Sequence, residues 1–221
     1  MKIELECHDG KKLTTFPVFV GSGQKDPHHK LSNFHSCRVV FDDVEYPSSE
    51  HAFQAQRVPP RLRRELFSME GSYADLDAGF GKLFGDSEKA KKKAAHWRKK
   101  ENVGVLARMV IKRMKPKDLV EMSAELCAEV FFEILTAKYA QNEHLRRVLL
   151  STGDRYILEF DRGAGRAKRK GSKARWGGLV ENDRVVGSNQ MGALLMRVRE
   201  TLLRPPQTPV TSGEKRTPPL I

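Results

Sequence analysis

The sequence predicts an α+β fold, in which a single, mainly helical domain carries a few short β-hairpins. Two patterns support this prediction. Apolar residues recur at every third or fourth position in several segments after residue 48, which is the spacing of one helix face. Short extended segments also flank the pairs Asp9-Gly10, Asp42-Asp43 and Asn182-Asp183, as in β-hairpins.

The N-terminal elements are predicted to be strands and loops. Residues 3–7 and 13–20 form the first hairpin, and residues 21–30 form a polar surface loop. Residues 39–41 and 44–46 form a second hairpin, although Asp-Asp is a weaker turn signal than Asp-Gly.

Helices are predicted for most of the remaining chain. Capping residues and proline breaks place their starts at Ser48 or Ser49, Arg61, Asp86, Asp118, Asn142 and Asn189. Residues 156–160 form a strand, and a third hairpin surrounds Asn182-Asp183. The domain spans residues 1–203, and residues 204–221, which contain five prolines, are predicted to be disordered.

Composition limits the class of protein. Forty Lys and Arg residues against 28 Asp and Glu residues give a net charge of +12, which attracts polyanions such as nucleic acid or phosphorylated metabolites. Three widely spaced cysteines and the absence of a signal peptide or long apolar run predict an intracellular protein, cytoplasmic or nuclear, without a membrane partner. His28, His29, His35 and Cys37 lack a second ligand pair at zinc spacing, so no metal site is predicted. The sequence contains no pattern that predicts an oligomeric state.

The segment 161–175 is strongly basic. Seven of its fifteen residues are Lys or Arg, and its glycines and lack of apolar residues predict a mobile loop. It is either a solvated insertion or localisation signal, or a contact to a phosphate backbone.

Glu50 is the first candidate site residue. Pro47 disfavours helix before it, Ser48 or Ser49 can accept the first free amide protons, and Glu50 falls in the first turn. The helix dipole favours its ionised form there, and Gln54 lies one turn further on the same face. This arrangement suits a sugar site, or is simply a helix cap.

Two further side chains occupy apolar helix faces. Trp97 follows Ala90 and Ala94 at helical spacing, which ordinarily means core packing. Lys138 follows Ile134 on another apolar face. There it either extends its amine from the rim of the core or occupies a pocket that lowers its pKa.

Several sequence words, in order, resemble the NADAR family of YbiA-like proteins. They are Leu31-Ser-Asn-Phe34, Tyr46-Pro-Ser-Ser-Glu-His-Ala-Phe-Gln-Ala55, Ala137-Lys-Tyr-Ala-Gln-Asn142, Thr152-Gly153, Trp176-Gly177 and Gly187-Ser-Asn-Gln-Met-Gly192. The resemblance covers roughly residues 16–203 and implies a YbiA-like α+β fold. It also implies cleavage of N-glycosidic bonds, with no cofactor and no metal.

The resemblance also implies site residues. Glu50 would stabilise an oxocarbenium-like transition state or activate water, and Trp97 would stack on the base or ribose. Lys138 would attack the anomeric carbon or hold a phosphate. The implied substrate-binding residues are Asn33, Phe34, Ser48, Ser49, His51, Gln54, Trp176, Gly177 and Asn189. Relatives commonly carry an acid shortly before Trp-Gly, which the basic segment replaces here, and Asp161 is a candidate substitute.

The hypothesis that best combines these features is an N-glycosidase that releases ADP-ribose from guanine in DNA or RNA. It implies an ADP-ribose-containing substrate and nucleic acid as partners. The alternatives are an N-glycosidase for phosphorylated ribosylaminopyrimidine intermediates of riboflavin synthesis, and a non-catalytic module that binds ADP-ribose or nucleic acid.

Overall fold

A computed structural model describes residues 5–7, 10, 12–15, 17–21, 27–170 and 174–204. The predicted disordered tail beyond residue 204, the turn residue Asp9 and residues 22–26 of the predicted 21–30 loop lie outside these residues.

The described residues form eight short strands in three sheets. The strands are β1 (Leu5–Glu6), β2 (Lys12–Leu13), β3 (Val18–Val20), β4 (Val39–Phe41), β5 (Val44–Tyr46), β6 (Ile157–Glu159), β7 (Leu179–Glu181) and β8 (Arg184–Val186). One sheet has the order β2-β1-β8-β7, with β1 parallel to β8. In the other two sheets β3 pairs with β6 in parallel, and β4 pairs with β5 antiparallel.

The three predicted hairpins are present as β1–β2, β4–β5 and β7–β8. The predicted extent of the first hairpin is wrong, because Val18–Val20 forms the separate strand β3 and pairs with β6. Asp42 and Asp43 have φ of 50° and 55°, and Asn182 and Asp183 have φ of 51° and 57°. Two consecutive positive φ angles give the type I′ twist that joins strands tightly, and Asn and Asp tolerate it better than other side chains.

Nine α-helices surround these strands in the described residues. They are α1 (Ser49–Ala55), α2 (Pro60–Phe67), α3 (Leu76–Phe84), α4 (Glu88–Lys99), α5 (Val105–Ile111), α6 (Ala124–Gln141), α7 (Glu143–Leu150), α8 (Ala164–Arg169) and α9 (Gln190–Leu203). Two short 3-10 helices cover His28–Leu31 and Pro116–Asp118. The predicted α+β fold with a mainly helical single domain is confirmed.

The helix starts correct the sequence prediction in three places. The helix predicted from Asp118 begins instead at Ala124, because the Ser123 side chain caps it and Pro116–Asp118 forms a separate 3-10 turn. Helix α3 is not predicted, although Asp75 caps it by accepting from the amides of Asp77 and Ala78. The prediction of a wholly loop-like basic segment is wrong, because α8 lies within it.

The core is built around α6, which packs against α1, α9 and the strand β4. A second apolar cluster joins α3, α4 and the start of α5 through Leu76, Phe80, Ala90, Ala94 and Leu106. No helix in the described part of the chain combines the length and apolar character that crossing a bilayer requires.

Candidate active site

A cleft of about 1070 Å³ opens between α1, α5, the start of α6 and the end of β6. It takes residues from segments that are far apart in the sequence. Those used below are Asn33, Phe34, Glu50, Phe53, Gln54, Arg57, Arg108, Lys112, Phe131, Glu159, Asp161, Arg175, Trp176 and Gly177. Its volume is at the upper end for a small-molecule site.

Glu50 lies on the cleft with both carboxylate oxygens engaged. The Asn33 side-chain amide donates to Oε2, and the Gln54 amide donates to Oε1 at 2.8 Å. The side chain is 3% exposed, and burial raises its pKa, opposed by Gln54, Arg108, Asn33 and Arg57. This pKa direction differs from the sequence expectation, since burial outweighs the helix-terminus effect. The side-chain amides of Asn33 and Gln54 therefore fix the orientation of the Glu50 carboxyl group, which is shielded from solvent.

The predicted residues Ser48, Ser49 and His51 support this arrangement and do not line the cleft. Ser48 Oγ caps α1 by accepting from the His51 amide at 3.2 Å and lies 2.8 Å from His51 Nδ1. Ser49 Oγ donates to the Asn33 carbonyl oxygen at 3.1 Å, and the Glu50 amide donates to the same oxygen at 3.0 Å. The start of α1 is thus fastened to the loop that carries Asn33.

Glu159 supplies a second carboxyl group that the sequence analysis missed. It ends β6, lines the cleft, and has a buried Oε2 without a hydrogen-bond partner in the structure. Burial, aided by the charges of Glu50 and Asp161, raises its pKa to about 7, while Lys138 and Arg108 oppose the shift. The only available signal was a single acid in the otherwise apolar strand Tyr156–Phe160. Two carboxyl groups in one cleft, of which one is half protonated near neutrality, form a potential acid–base pair.

Aromatic rings make one wall of the cleft. Phe53 and Phe131 stack with centroids 3.7 Å apart, and the Trp176 ring meets Phe131 edge-on at 5.1 Å. Gly177 follows Trp176 closely beside β6, where a Cβ atom would lie 2.7 Å from the Glu159 carbonyl oxygen. The wall offers flat apolar surface on which a base or sugar can pack.

Cationic side chains line the same cleft. Arg57, Arg108, Lys112 and Arg175 are among its lining residues. The Arg108 guanidinium lies 5.6 Å from the Phe34 ring centroid, and that of Arg175 lies 4.7 Å from the Trp176 centroid. Guanidinium groups held in this way can pair with phosphate through two parallel hydrogen bonds.

Lys138 is fully buried and is absent from the cleft lining. Its Nζ donates to the carbonyl oxygens of Ser32 at 2.8 Å and Leu31 at 3.3 Å, next to the cleft residue Asn33. Burial lowers its pKa, and the charges of Cys37 and Glu159 oppose this. The amine therefore lies adjacent to the site, bonded to the backbone.

Trp97 and Asn189 are also placed away from the cleft. Trp97 lies on α4, beside a groove of about 520 Å³ lined by Lys89, Lys92, Lys93 and His96. Asn189 precedes α9 in a left-handed conformation, and its side chain does not cap the helix. It accepts instead from the Glu159 amide at 3.0 Å and donates to the Ile157 carbonyl at 2.8 Å, so it holds β6.

Fold and site together define a single-domain α+β protein with two carboxyl groups, an aromatic wall and cationic side chains in one cleft. A model of the NADAR domain matches residues 18–203, and the chain therefore belongs to the NADAR domain family. It is 26% identical over 178 residues to N-glycosidase YbiA of Escherichia coli (strain K12), which covers 80% of this chain and 83% of the relative. The protein of the same name from Shigella boydii shows the same identity and coverage. The solved NMR structure of E. coli YbiA, 24% identical, aligns with a TM-score of 0.49 over 85% of this chain and 87% of that one.

Proposed function

We propose that this chain is an N-glycosidase that hydrolyses the bond between ADP-ribose and guanine in nucleic acid. The observation that carries the proposal is the pair Glu50 and Glu159, two carboxyl groups in different environments on one cleft. Membership of the NADAR domain family and relatives named N-glycosidase support a hydrolase acting on N-glycosyl bonds.

The chemistry requires both an anion and an acid. As the bond from the anomeric carbon to the base nitrogen breaks, positive charge builds on the ribose and negative charge on the base. Glu50, held by Asn33 and Gln54, faces the sugar as a carboxylate and stabilises that positive charge. It then accepts the proton of the water that attacks the anomeric carbon.

Glu159 serves as the acid. With a pKa of about 7, a large share of its carboxyl groups carries a proton at neutral pH. Its Oε2 is buried and has no hydrogen-bond partner in the structure, so the side chain must turn to present this oxygen to the departing base nitrogen. The base leaves protonated and the ribose gains the hydroxyl of water. Glu50 then releases the proton of that water to solvent, and Glu159 takes up a proton from solvent.

The remaining cleft residues account for substrate recognition. Trp176 with Phe53 and Phe131 packs against the base or adenosine, and Arg57, Arg108, Lys112 and Arg175 bind the diphosphate. The exposed side chains of Arg162, Arg166, Arg169 and Lys170 follow β6 directly and contact the nucleic-acid backbone.

Two roles are proposed for Lys138, and its burial away from the cleft replaces the phosphate contact considered above with a positioning role. A buried amine with a lowered pKa can attack the opened ribose, or it can position the Leu31-Ser32 backbone beside Asn33. Borohydride added during turnover distinguishes them. A mass increase on Lys138 assigns the covalent role, and an unmodified Lys138 in active enzyme assigns the positioning role. Trp97 retains its proposed stacking role only if Trp97→Ala lowers turnover without lowering stability.

The deciding experiment measures base release from a short guanine-ADP-ribosylated oligonucleotide and, in parallel, from a ribosylaminopyrimidine phosphate. We expect turnover of the oligonucleotide, with a loss of at least a hundredfold in Glu50→Gln and Glu159→Gln. Glu143→Gln, an exposed acid on α7, is the matched control and retains full activity. Turnover of the small substrate alone establishes the metabolite alternative, and binding of the oligonucleotide without turnover establishes the binding module.

The basic segment is tested by charge removal at two places. One variant replaces Arg162, Arg166, Arg169 and Lys170 with glutamine. The control variant removes four charges from exposed lysines of α3 and α4, namely Lys82, Lys91, Lys92 and Lys99. Only the first is expected to raise KM for the oligonucleotide, and an equal effect of both would contradict a specific contact by α8.

A further inference from the structure

Three potential metal ligands converge next to the cleft residue Phe34. His29 lies in the 3-10 helix, His35 follows Phe34 directly, and Glu101 follows α4. His29 Nε2 lies 3.6 Å from Glu101 Oε2, and His35 Nδ1 lies 3.9 Å from the same oxygen. One donor atom from each residue lies within 4.8 Å of the others, and no second group of three such side chains is found among the described residues.

These separations are too long for direct hydrogen bonds and are close to those of ligands that share an ion. A zinc ion lies about 2.0–2.2 Å from each nitrogen or oxygen ligand, so the three atoms need to draw together by about 1 Å. The Glu101 side chain is 56% exposed and is free to make this adjustment.

His35 provides a second, independent sign of a ligand. It is only 7% exposed, and its Nδ1 has no hydrogen-bond partner in the described structure although it is directed at the Glu101 carboxylate. Leaving a buried ring nitrogen unsatisfied is costly, and a bound ion removes that cost.

The donor atoms narrow the choice of ion. Two of the three ligands are imidazoles, and the third is a carboxylate. Metals that bond strongly to imidazole nitrogen are favoured over Mg²⁺ or Ca²⁺. We propose that His29, His35 and Glu101 bind one Zn²⁺-type ion, with water as the fourth ligand.

Such an ion would stabilise the segments next to the candidate active site without taking part in the reaction in the cleft. The Ser36 amide donates to the Glu101 carbonyl at 2.7 Å, and the Gly104 amide donates to the Phe34 carbonyl at 3.1 Å. An ion that joins His35 to Glu101 adds a side-chain bond between these two segments. The proposal is independent of the reaction that the cleft performs.

The test uses the full chain, freed of any purification tag and stripped of metal with a chelator. Calorimetric titration with ZnCl₂ should give one ion per chain, and CoCl₂ should give the visible absorption of tetrahedral cobalt. Glu101→Gln should weaken Zn²⁺ binding at least tenfold, and the double variant His29→Gln/Glu101→Gln should abolish saturable binding. Zinc should raise the Tm of the unmodified chain but not that of the double variant.

The matched control is His96→Gln/Glu88→Gln, which makes the same two changes at exposed positions of α4. It should bind zinc like the unmodified chain. Saturable binding that survives in His29→Gln/Glu101→Gln overturns the proposal, as does the absence of one-to-one binding in the unmodified chain. Binding that is lost only on thiol alkylation assigns the ion to cysteine and also overturns it.

Discussion

The surroundings of Glu159 disfavour the ionised form of its carboxyl group. Its pKa of about 7 comes first from burial and then from the charges of Glu50 and Asp161. Lys138 and Arg108 counteract only part of this. The residue is therefore suited to donating a proton at neutral pH and is correspondingly unfavourable for stability once it is charged.

The first prediction concerns the pH dependence of base release. If Glu159 is the acid, as proposed, its protonated form is the active one, and kcat should fall as pH rises through about 7. Glu159→Asp, which retains an acid, should keep a descending limb, whereas the residual activity of Glu159→Gln should lack it. A descending limb at the same pH in Glu159→Gln would assign the titration to another group.

The second prediction concerns stability. A carboxyl pKa that is higher in the folded state means that stability is lost as pH rises from about 4.5 to about 7. Glu159→Gln removes the titrating group and should be more stable than the unmodified chain at pH 8 by about 1–3 kcal/mol. The difference should vanish at pH 4, where both states carry the proton. Urea unfolding at the two pH values measures this, and equal gains at both would refute the electrostatic cause.

The sequence analysis predicted about half of the residues that make up the candidate site. Asn33, Phe34, Glu50, Gln54, Trp176 and Gly177 were predicted, and the structure places them on the cleft. Glu159 was missed because a strand pattern reports which face is apolar and not which distant charges a side chain meets. Glu101 was missed as a companion of His35 for the same reason.

Helix α5 approaches the start of α1 at Gly104. This residue precedes α5 and contacts the start of α1. A Cβ atom there would lie 2.8 Å from Phe34 Cα, 2.8 Å from Ser48 Oγ and 2.9 Å from Glu50 Cβ. Contacts this short require the backbone of the site to move. The absence of a side chain at Gly104 therefore sets how closely α5 approaches the Glu50 helix.

The third prediction follows from this contact. Gly104→Ala should cost about 1–3 kcal/mol of stability and should also lower kcat, because Asn33 and Glu50 shift apart. Gly81→Ala in α3 is the control, since its Cβ meets nothing within 4 Å. That variant should be neutral or more stable by up to about 1 kcal/mol, because alanine favours helix. Normal turnover in a stable Gly104→Ala protein would contradict the proposed coupling.

The elements whose own residues determine their conformation were predicted correctly. The elements that depend on packing against distant segments were not predicted. The turns at Asp42-Asp43 and Asn182-Asp183 depend on side chains that tolerate positive φ, so the sequence identifies them. Helix α3 contains two glycines, which weaken its helical signal, and it depends on the Asp75 cap and its packing on α4. Helix α8 lacks an apolar stripe and was taken for loop.

At the scale of the whole molecule, the net charge of +12 acts on any extended polyanion. The fourth prediction is that kcat/KM for a modified oligonucleotide falls roughly tenfold between 50 and 200 mM salt, as expected when about two phosphates are neutralised. A free ADP-ribosylated guanosine should show a much weaker dependence, because it leaves the surface outside the cleft unoccupied. Equal salt dependence for the oligonucleotide and the free nucleoside would show that the basic surface outside the cleft does not contribute to substrate binding.

The parallel pairing of β3 with β6 also constrains how the protein is made. Val18 pairs with Ile157, and Glu6 pairs with Arg184, so β3 and β1 form these pairs only after β6 and β8 have been translated. At about 5–20 residues per second, the N-terminal segment waits on the ribosome for many seconds with its edges unpaired. Glu50 is translated long before Glu159, so the cleft can form completely only after β6 has been translated. A nascent chain that lacks β6 therefore lacks the complete cleft.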